Sequence, residues 1–200
     1  MVRRTRAEME QTRALLIETA RRVFSEQGYS EVSLDDLTAQ AGLTRGALYH
    51  HFGDKKGLFQ AVVGHIDAEM DARLQAISDH AQDPWAGFSS RCRAYLEMAR
   101  EPEIQRIVLR DARAVLGAPT PAAQLHCVGS LQVLLEGLMA DHIVVATAPQ
   151  ALASMIQGAL AETALWIANG ADQPERLEQG LAAVQLLLDG IRRPLPTAQA

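Results

Sequence analysis

Proline and glycine punctuate this chain at the spacing of helices from one end to the other. Asp83-Pro84, Glu101-Pro102, Thr120-Pro121, Ala148-Pro149 and Gln173-Pro174 each put a proline where a helix can begin, because the first helical turn has no intrahelical N–H to lose. Between these points apolar residues recur three and four apart, as in Trp85, Phe88, Cys92, Tyr95 and Ala99 and again in Leu177, Leu181, Val184, Leu188 and Ile191, the period of one buried helix face. No stretch has the sustained alternation and β-branched enrichment of a sheet. The chain reads as all-α, with about nine helices. A first helix starts near Glu8, carries Leu15, Leu16, Thr19, Ala20, Val23 and Phe24 on one side, and ends at Gly28-Tyr29 with a left-handed glycine. Ser33 opens a short helix with Asp36 three residues on, a capping-box arrangement, and Gly42 stops it. Thr44 caps a third short helix through His51, and Gly53-Asp54 turn the chain into a long connector bearing Leu58, Phe59, Val62, Val63, Ile66, Met70, Leu74 and Ile77.

Composition narrows the class. With 48% hydrophobic and 22% charged residues over 200 positions, the chain is neither disordered, collagenous nor disulfide-rich. Cys92 and Cys127 are its only cysteines, which fits a reduced compartment and builds no Cys-rich zinc site. The apolar run after Arg3, Arg4 and Arg6 is broken by Glu18, Arg21 and Arg22, so no signal-peptide core is expected and the cytoplasm is the default location. Residues 114–135 and 143–161 lack Asp, Glu, Lys and Arg, but Pro119, Pro121 and Pro149 interrupt them, and they read as buried helices, not membrane spans. The formal charge of −5 hides a split. Residues 1–62 hold nine Lys and Arg against eight Asp and Glu, whereas the remainder holds ten against sixteen. Positive charge, which phosphate binding needs, is concentrated at the start.

The stretch from Ser33 to Phe52, SLDDLTAQAGLTRGALYHHF, is two short helices joined by a tight Ala41-Gly42-Leu43 turn. That is helix-turn-helix architecture, with Ala41 letting the helices approach, Gly42 taking the turn, and Leu37 and Leu48 joining the pair. A helical hairpin without a ligand has the same outline. The second helix, however, is poor in side chains for burial and rich in groups that reach phosphates and base edges: Thr44, Arg45, Tyr49, His50 and, just after it, Lys55 and Lys56. Gly46 and Ala47 lack bulk, so the helix start can press close to the major groove.

These residues resemble the tetracycline-repressor (TetR) family of bacterial transcription regulators. The likeness covers roughly residues 8–62 through Ala20, Phe24, Gly28-Tyr29, Ser33, Leu37, Ala41-Gly42-Leu43-Thr44, Gly46, Leu48-Tyr49, His51-Phe52, Lys55 and Leu58. It implies an all-helical homodimer with an N-terminal three-helix DNA-binding domain over residues 1–54. A larger C-terminal domain, residues 55–200, then dimerises and binds a small-molecule inducer. Double-stranded operator DNA and the inducer are the implied partners, with no cofactor and no membrane. On this reading Arg45 pairs with guanine, and Gly46, Ala47 and His50 meet base edges or thymine methyls. Ser33, Thr44, Tyr49, His51 and Lys55 anchor phosphates. Core packing is the alternative for Tyr49 and His51. Arg3, Arg4 and Arg6 form either an arm on the DNA or a solvated tail. Asp35 departs from a phosphate-facing surface; it is expected to face away, since the alternative, accepting from a cytosine amino group, is uncommon.

The chain carries no catalytic or metal signature in its sequence. His50-His51 and His126-Cys127 are adjacent on helices and point apart, and no HExxH, CxxC or phosphate-cradling glycine loop occurs. An enzyme is not expected. The apolar stripes of residues 151–168 and 175–191 exceed what one protomer of this size needs to cover, which predicts a two-fold four-helix bundle through Ile156, Leu160, Leu181 and Leu188. Ile66, Met70, Phe88, Cys92, Tyr95, Ile104, Val108, Leu125 and His126 form the expected inducer lining, mostly apolar with Tyr95 and His126 as polar handles. The Trp85 to Tyr95 stripe reads equally as plain core. The expected activity is a ligand-responsive regulator, most simply a repressor released from a palindromic operator by a hydrophobic or aromatic inducer. An activator, or a regulator controlled by a protein partner, has the same sequence features.

Overall fold

The computed structural model describes residues 5–117, 121–170 and 173–193, with side chains described outside 121–127. Among them run α1 (Arg6–Gln27), α2 (Leu34–Gln40), α3 (Arg45–Phe52), α4 (Lys55–Asp79), α5 (Pro84–Met98), a π-helix π1 (Ile104–Asp111), α6 (Ala112–Leu116), α7 (Pro121–Ala140), α8 (Pro149–Ala168) and α9 (Glu175–Ile191). No strand occurs among the described residues; one isolated antiparallel bridge joins Val144 to Arg192. The all-α expectation holds. Pro84, Pro121 and Pro149 each open a helix, while Pro174 is the N-cap of α9. The chain divides into two compact units, Met1–Glu69 with Pro102–Ala118, and Met70–Glu101 with Pro119–Ala200.

In the first unit α1 begins two residues earlier than Glu8, because Thr5 and Glu8 form a reciprocal capping box that satisfies two orphan N–H groups. Leu16, Ile17, Thr19, Ala20, Val23 and Phe24 are buried, but Leu15 lies 45% exposed, to one side of the buried stripe. Gly28 takes φ +81° with ψ 158°, an extended mirror-image conformation open to glycine and not the expected left-handed helical one. The chain there swings outward so that the Tyr29 N–H donates to Asp111 Oδ2 at 2.8 Å. A side chain at Gly28 would also strike Arg106. The Tyr29 ring closes a cluster with Phe24 and Phe59, whose centroids lie 5.1 Å apart edge to face. Arg21 donates from Nε to Glu103 at 2.7 Å and from Nη1 to Glu69 at 2.8 Å. Those carboxylates, Glu103 foremost, raise its guanidinium above the usual arginine value, and so tie α1 to α4 and to the start of π1.

The second unit is a helical bundle in which α5, α7, α8 and α9 pack on one another. Asp83 caps α5 by accepting from the Ala86 N–H at 2.8 Å, and Trp85, Phe88, Cys92 and Leu96 are buried along its inner side. Beside them Arg91 is only 4% exposed; its Nη2 donates to Asp71 at 2.8 Å and to Ser130 at 2.9 Å, the pairing a buried charge requires. Burial pushes the Cys92 thiol up to about 12 against the opposing pull of Arg91, so it stays protonated and unreactive near neutral pH. Among the described residues one helix, α8, is long and apolar enough to cross a membrane. Its Ala153, Leu160, Ala164, Ile167 and Ala168 are buried in the bundle.

Two of the expected dimer residues are taken up by the bundle itself. Leu160 and Leu188 are 3% and 1% exposed inside their own protomer and cannot form an outer face, and Ile156 and Leu181 are half-buried. Of the α9 stripe, Val184 and Leu188 are buried in the protomer core, while Leu177, Leu181 and Ile191 stay half-buried. Other apolar side chains stand out to solvent: Leu186 and Leu187 on α9, 74% and 58% exposed, and Met155 on α8, 73% exposed.

Candidate nucleic-acid interface

The helix-turn-helix is built as its local sequence dictates. Ser33 Oγ accepts from the Asp36 N–H at the start of α2, the hydroxyl half of the expected capping box. Gly42 takes φ +65°, and the Leu43 N–H returns to the Thr38 carbonyl at 2.9 Å, which closes the turn in a conformation that favours glycine. Leu37 and Leu48 are fully buried between the helices. Thr44 Oγ1 then accepts from the Ala47 N–H, opening α3 with the next residue, Arg45.

On α3 only Leu48 is buried. Thr44, Arg45, Gly46, Ala47, Tyr49 and His50 follow as one run interrupted by that single leucine; Arg45, Gly46, Tyr49 and His50 are exposed, and Ala47 and His51 are half-buried. Tyr49 is 44% exposed, which removes its core-aromatic reading. The His51 ring lies against His50 and Phe52, at centroid distances of 5.3 and 6.0 Å. Ser33 stands at the start of α2, and Lys55 and Lys56 open α4. Lys55 is less free than its sequence position implies: Nζ donates to the Ser30 carbonyl at 3.2 Å and sits 4.6 Å from the Tyr29 ring centre. Burial pulls its ammonium below the usual lysine value, with Glu31 opposing. Lys56 is exposed.

Asp35 does not face away. Its Oδ2 accepts from Arg45 Nη1 at 3.2 Å, while Arg45 Nη2 donates to the Tyr49 hydroxyl at 3.0 Å. Tyr49 first and Asp35 second raise the Arg45 guanidinium above its usual value. Spacing alone hid this contact, because Asp35 and Arg45 are ten residues apart and meet only through the angle set at the Gly42 turn.

The expected inducer lining is distributed over both units. Ile66, Ile104 and Val108 belong to the first, with Ile66 and Ile104 buried; Met70, Phe88, Cys92 and Tyr95 belong to the second, where Tyr95 is half-buried and the other three are buried. The Leu125 and His126 side chains lie outside the described residues. The second unit also holds a cleft of about 380 Å³ bordered by Asp79, Asp83, Phe88, Val133, Leu138 and Asp141, and among the described residues of the expected lining Phe88 alone borders it. Among the described residues no cluster of His, Cys, Asp and Glu is arranged to hold a metal ion.

Comparison with known proteins agrees with this geometry. The model of bacterial regulatory proteins of the tetR family matches residues 16–62, and the tetracyclin repressor-like C-terminal domain matches residues 85–191. The transcriptional repressor BepR of Brucella suis biovar 1 is 27% identical over 96% of this chain and 98% of that protein. The regulator TtgR of Pseudomonas putida is 41% identical over 85 residues, 42% of this chain and 40% of that protein. A crystal structure of a TetR-family transcriptional regulator from Pectobacterium atrosepticum is 67% identical, with a TM-score of 0.90, covering 96% of this chain and all of that one. A helix-turn-helix that leaves its second helix bare, joined to a C-terminal domain of matching descent, makes this chain a member of the TetR family and a DNA-binding transcriptional regulator, not an enzyme.

Proposed function

We propose that this regulator is a homodimeric cytoplasmic repressor that binds a palindromic operator and leaves it when a hydrophobic or aromatic small molecule occupies its C-terminal domain. Residues 1–54 do the DNA binding, and residues 55–200 take up the inducer and form the dimer. The observation that carries the DNA reading is the bare face of α3, where Leu48 is the only buried residue. Arg45 reads guanine, and Gly46, Ala47 and His50 meet neighbouring base edges. Ser33, Thr44, Tyr49, His51 and the lysines at the start of α4 set register on phosphates. Repression is supported by the name of the Brucella relative, a transcriptional repressor.

Selecting duplexes from a random pool tests this directly. The expected result is a dyad-symmetric consensus whose half-sites are centred about one helical turn, or a multiple of it, apart; a pool without dyad symmetry overturns the reading. Arg45→Ala should lower discrimination roughly tenfold to a hundredfold at one base pair per half-site and relax preference there. Lys56→Ala is the cleaner phosphate probe, since Lys55 also packs on Tyr29. It should weaken all sequences alike and flatten the salt dependence by about one unit.

Release by an inducer requires that the ligand bind better to a form with its recognition helices wrongly spaced, by the same free energy that separates the two DNA affinities. Tyr95 on α5 is the handle to test, because it is only half-buried, whereas Phe88 is fully buried and its loss would damage the bundle. A hydrophobic-compound screen by thermal shift identifies a stabilising ligand. Tyr95→Ala should then keep DNA affinity within about threefold and raise the ligand concentration needed for release by about tenfold, one lost polar contact. An unchanged release curve places the ligand elsewhere.

A further inference from the structure

We infer that Asp35 is a specificity-determining residue that positions the Arg45 guanidinium for base reading. The inference rests on the assignment of α3 to the major groove made above. Two contacts carry it: Asp35 Oδ2 at 3.2 Å from Arg45 Nη1, and the Tyr49 hydroxyl at 3.0 Å from Arg45 Nη2. Arg45 is thereby held from both sides, by a carboxylate on α2 and by a hydroxyl one turn along its own helix. Its guanidinium also lies 5.6 Å from the Tyr49 ring centre.

Stability gives no reason for this pair. Both side chains are more than half exposed, 51% for Arg45 and 66% for Asp35, and an ion pair open to water adds little to folding. On a surface meant for phosphates a carboxylate is a liability, since it repels the backbone that the neighbouring residues are to grip. What the pair does provide is orientation. An unrestrained arginine at the start of α3 swings freely between phosphate oxygens and base edges, and contact with the former carries no sequence information. Asp35 holds one end of the fork and keeps it off the phosphates. The guanidinium has five N–H donors; one goes to Asp35 and one to Tyr49, leaving three, of which guanine O6 and N7 need two. Tyr49, accepting from Arg45, keeps its own proton to donate to a phosphate oxygen, so the arginine is registered against the DNA backbone without touching it. General affinity is lowered and discrimination raised, as expected where specificity is built by disfavouring wrong contacts.

The test compares wild type, Asp35→Asn, Arg45→Ala and the double variant by selection from random duplexes, followed by salt-dependent titration on the recovered sites. Asparagine keeps the shape and removes the charge, and unchanged thermal melting of each variant confirms folding. The expected result is that Asp35→Asn lowers guanine preference about tenfold at the same base pair of each half-site that Arg45→Ala relaxes. Binding to unrelated DNA should stay equal or grow tighter, and the double variant should be no less selective than Arg45→Ala alone. If Asp35→Asn tightens binding to every sequence and leaves the consensus intact, the carboxylate is a bystander and the inference falls. If it relaxes a different base pair, additively with Arg45→Ala, Asp35 reads a base itself and the positioning role is wrong. Failure of the wild type to select any dyad site overturns the assignment of α3, and the inference with it, and is told apart from the other outcomes before any variant is compared.

Discussion

Leu186→Asp combined with Leu187→Asp is expected to convert the protein to a monomer and to lower its operator affinity by about 10²- to 10⁴-fold. Both leucines are exposed on α9, at 74% and 58%, and Met155 on α8 stands out at 73%. A two-fold axis beside these leucines would bury the same residues on both copies. Full burial of one leucine is worth about 1.5–3 kcal/mol, and four are buried in a symmetric pair. Carboxylates in their place would have to be desolvated next to like charges, which reverses the sign of the contribution. The α2–α3 unit is untouched, so any loss of DNA binding comes from losing the tethered second half-site. Sedimentation velocity at micromolar concentration reads the oligomeric state, and fluorescence anisotropy on the selected operator reads the affinity. A variant that remains dimeric places the interface on another face. Leu188→Asp is the contrasting variant: its side chain is 1% exposed within the protomer, and it should unfold the bundle instead of separating two folded copies.

Phe24→Ala should cost about 3–5 kcal/mol, a large share of the roughly 5–15 kcal/mol that holds an ordinary domain folded. The ring is fully buried, meets Phe59 edge to face at 5.1 Å and stacks on Tyr29 at 5.8 Å. Its removal leaves a hole bounded by α1 and α4, which a helix held by Arg21 to Glu69 and Glu103 cannot collapse to fill. Urea denaturation should show the midpoint shifted to lower concentration, and DNA binding should fail at temperatures where the wild type still binds, because α1 supports both α2 and α3. A loss below about 1 kcal/mol would mean that the cluster repacks around the cavity.

The helices themselves were legible because their signals are local. Thr44 before Arg45, Asp83 before Pro84 and Gly42 between two short apolar periods each act on backbone groups within four residues, and α3, α5 and the α2–α3 turn begin where those signals stand. The motif Ala41-Gly42-Leu43-Thr44 with Leu37 and Leu48 likewise determined by itself that a helix-turn-helix forms and which helix is left bare. The residues of α3 that reach solvent follow from that one buried leucine.

Tertiary structure decided what periodicity leaves degenerate. Helix α9 carries the stripe Leu177, Leu181, Val184, Leu188 and Ile191 with Leu186 and Leu187 beside it, and spacing alone does not say which of these the core takes up. Packing on α8 and α5 buries Val184 and Leu188 and leaves Leu186 and Leu187 outside. The π-helical turn of Ile104–Asp111 has no sequence signature of its own, and it emerges where Asp111 meets the Tyr29 N–H and Glu103 meets Arg21. Asp35 and Arg45 became partners through the angle between α2 and α3. A sequence of this kind specifies hydrogen bonds and burial along each helix, since those depend on near neighbours. Contacts between helices depend on crossing angles and register, and these are set only when the whole core closes.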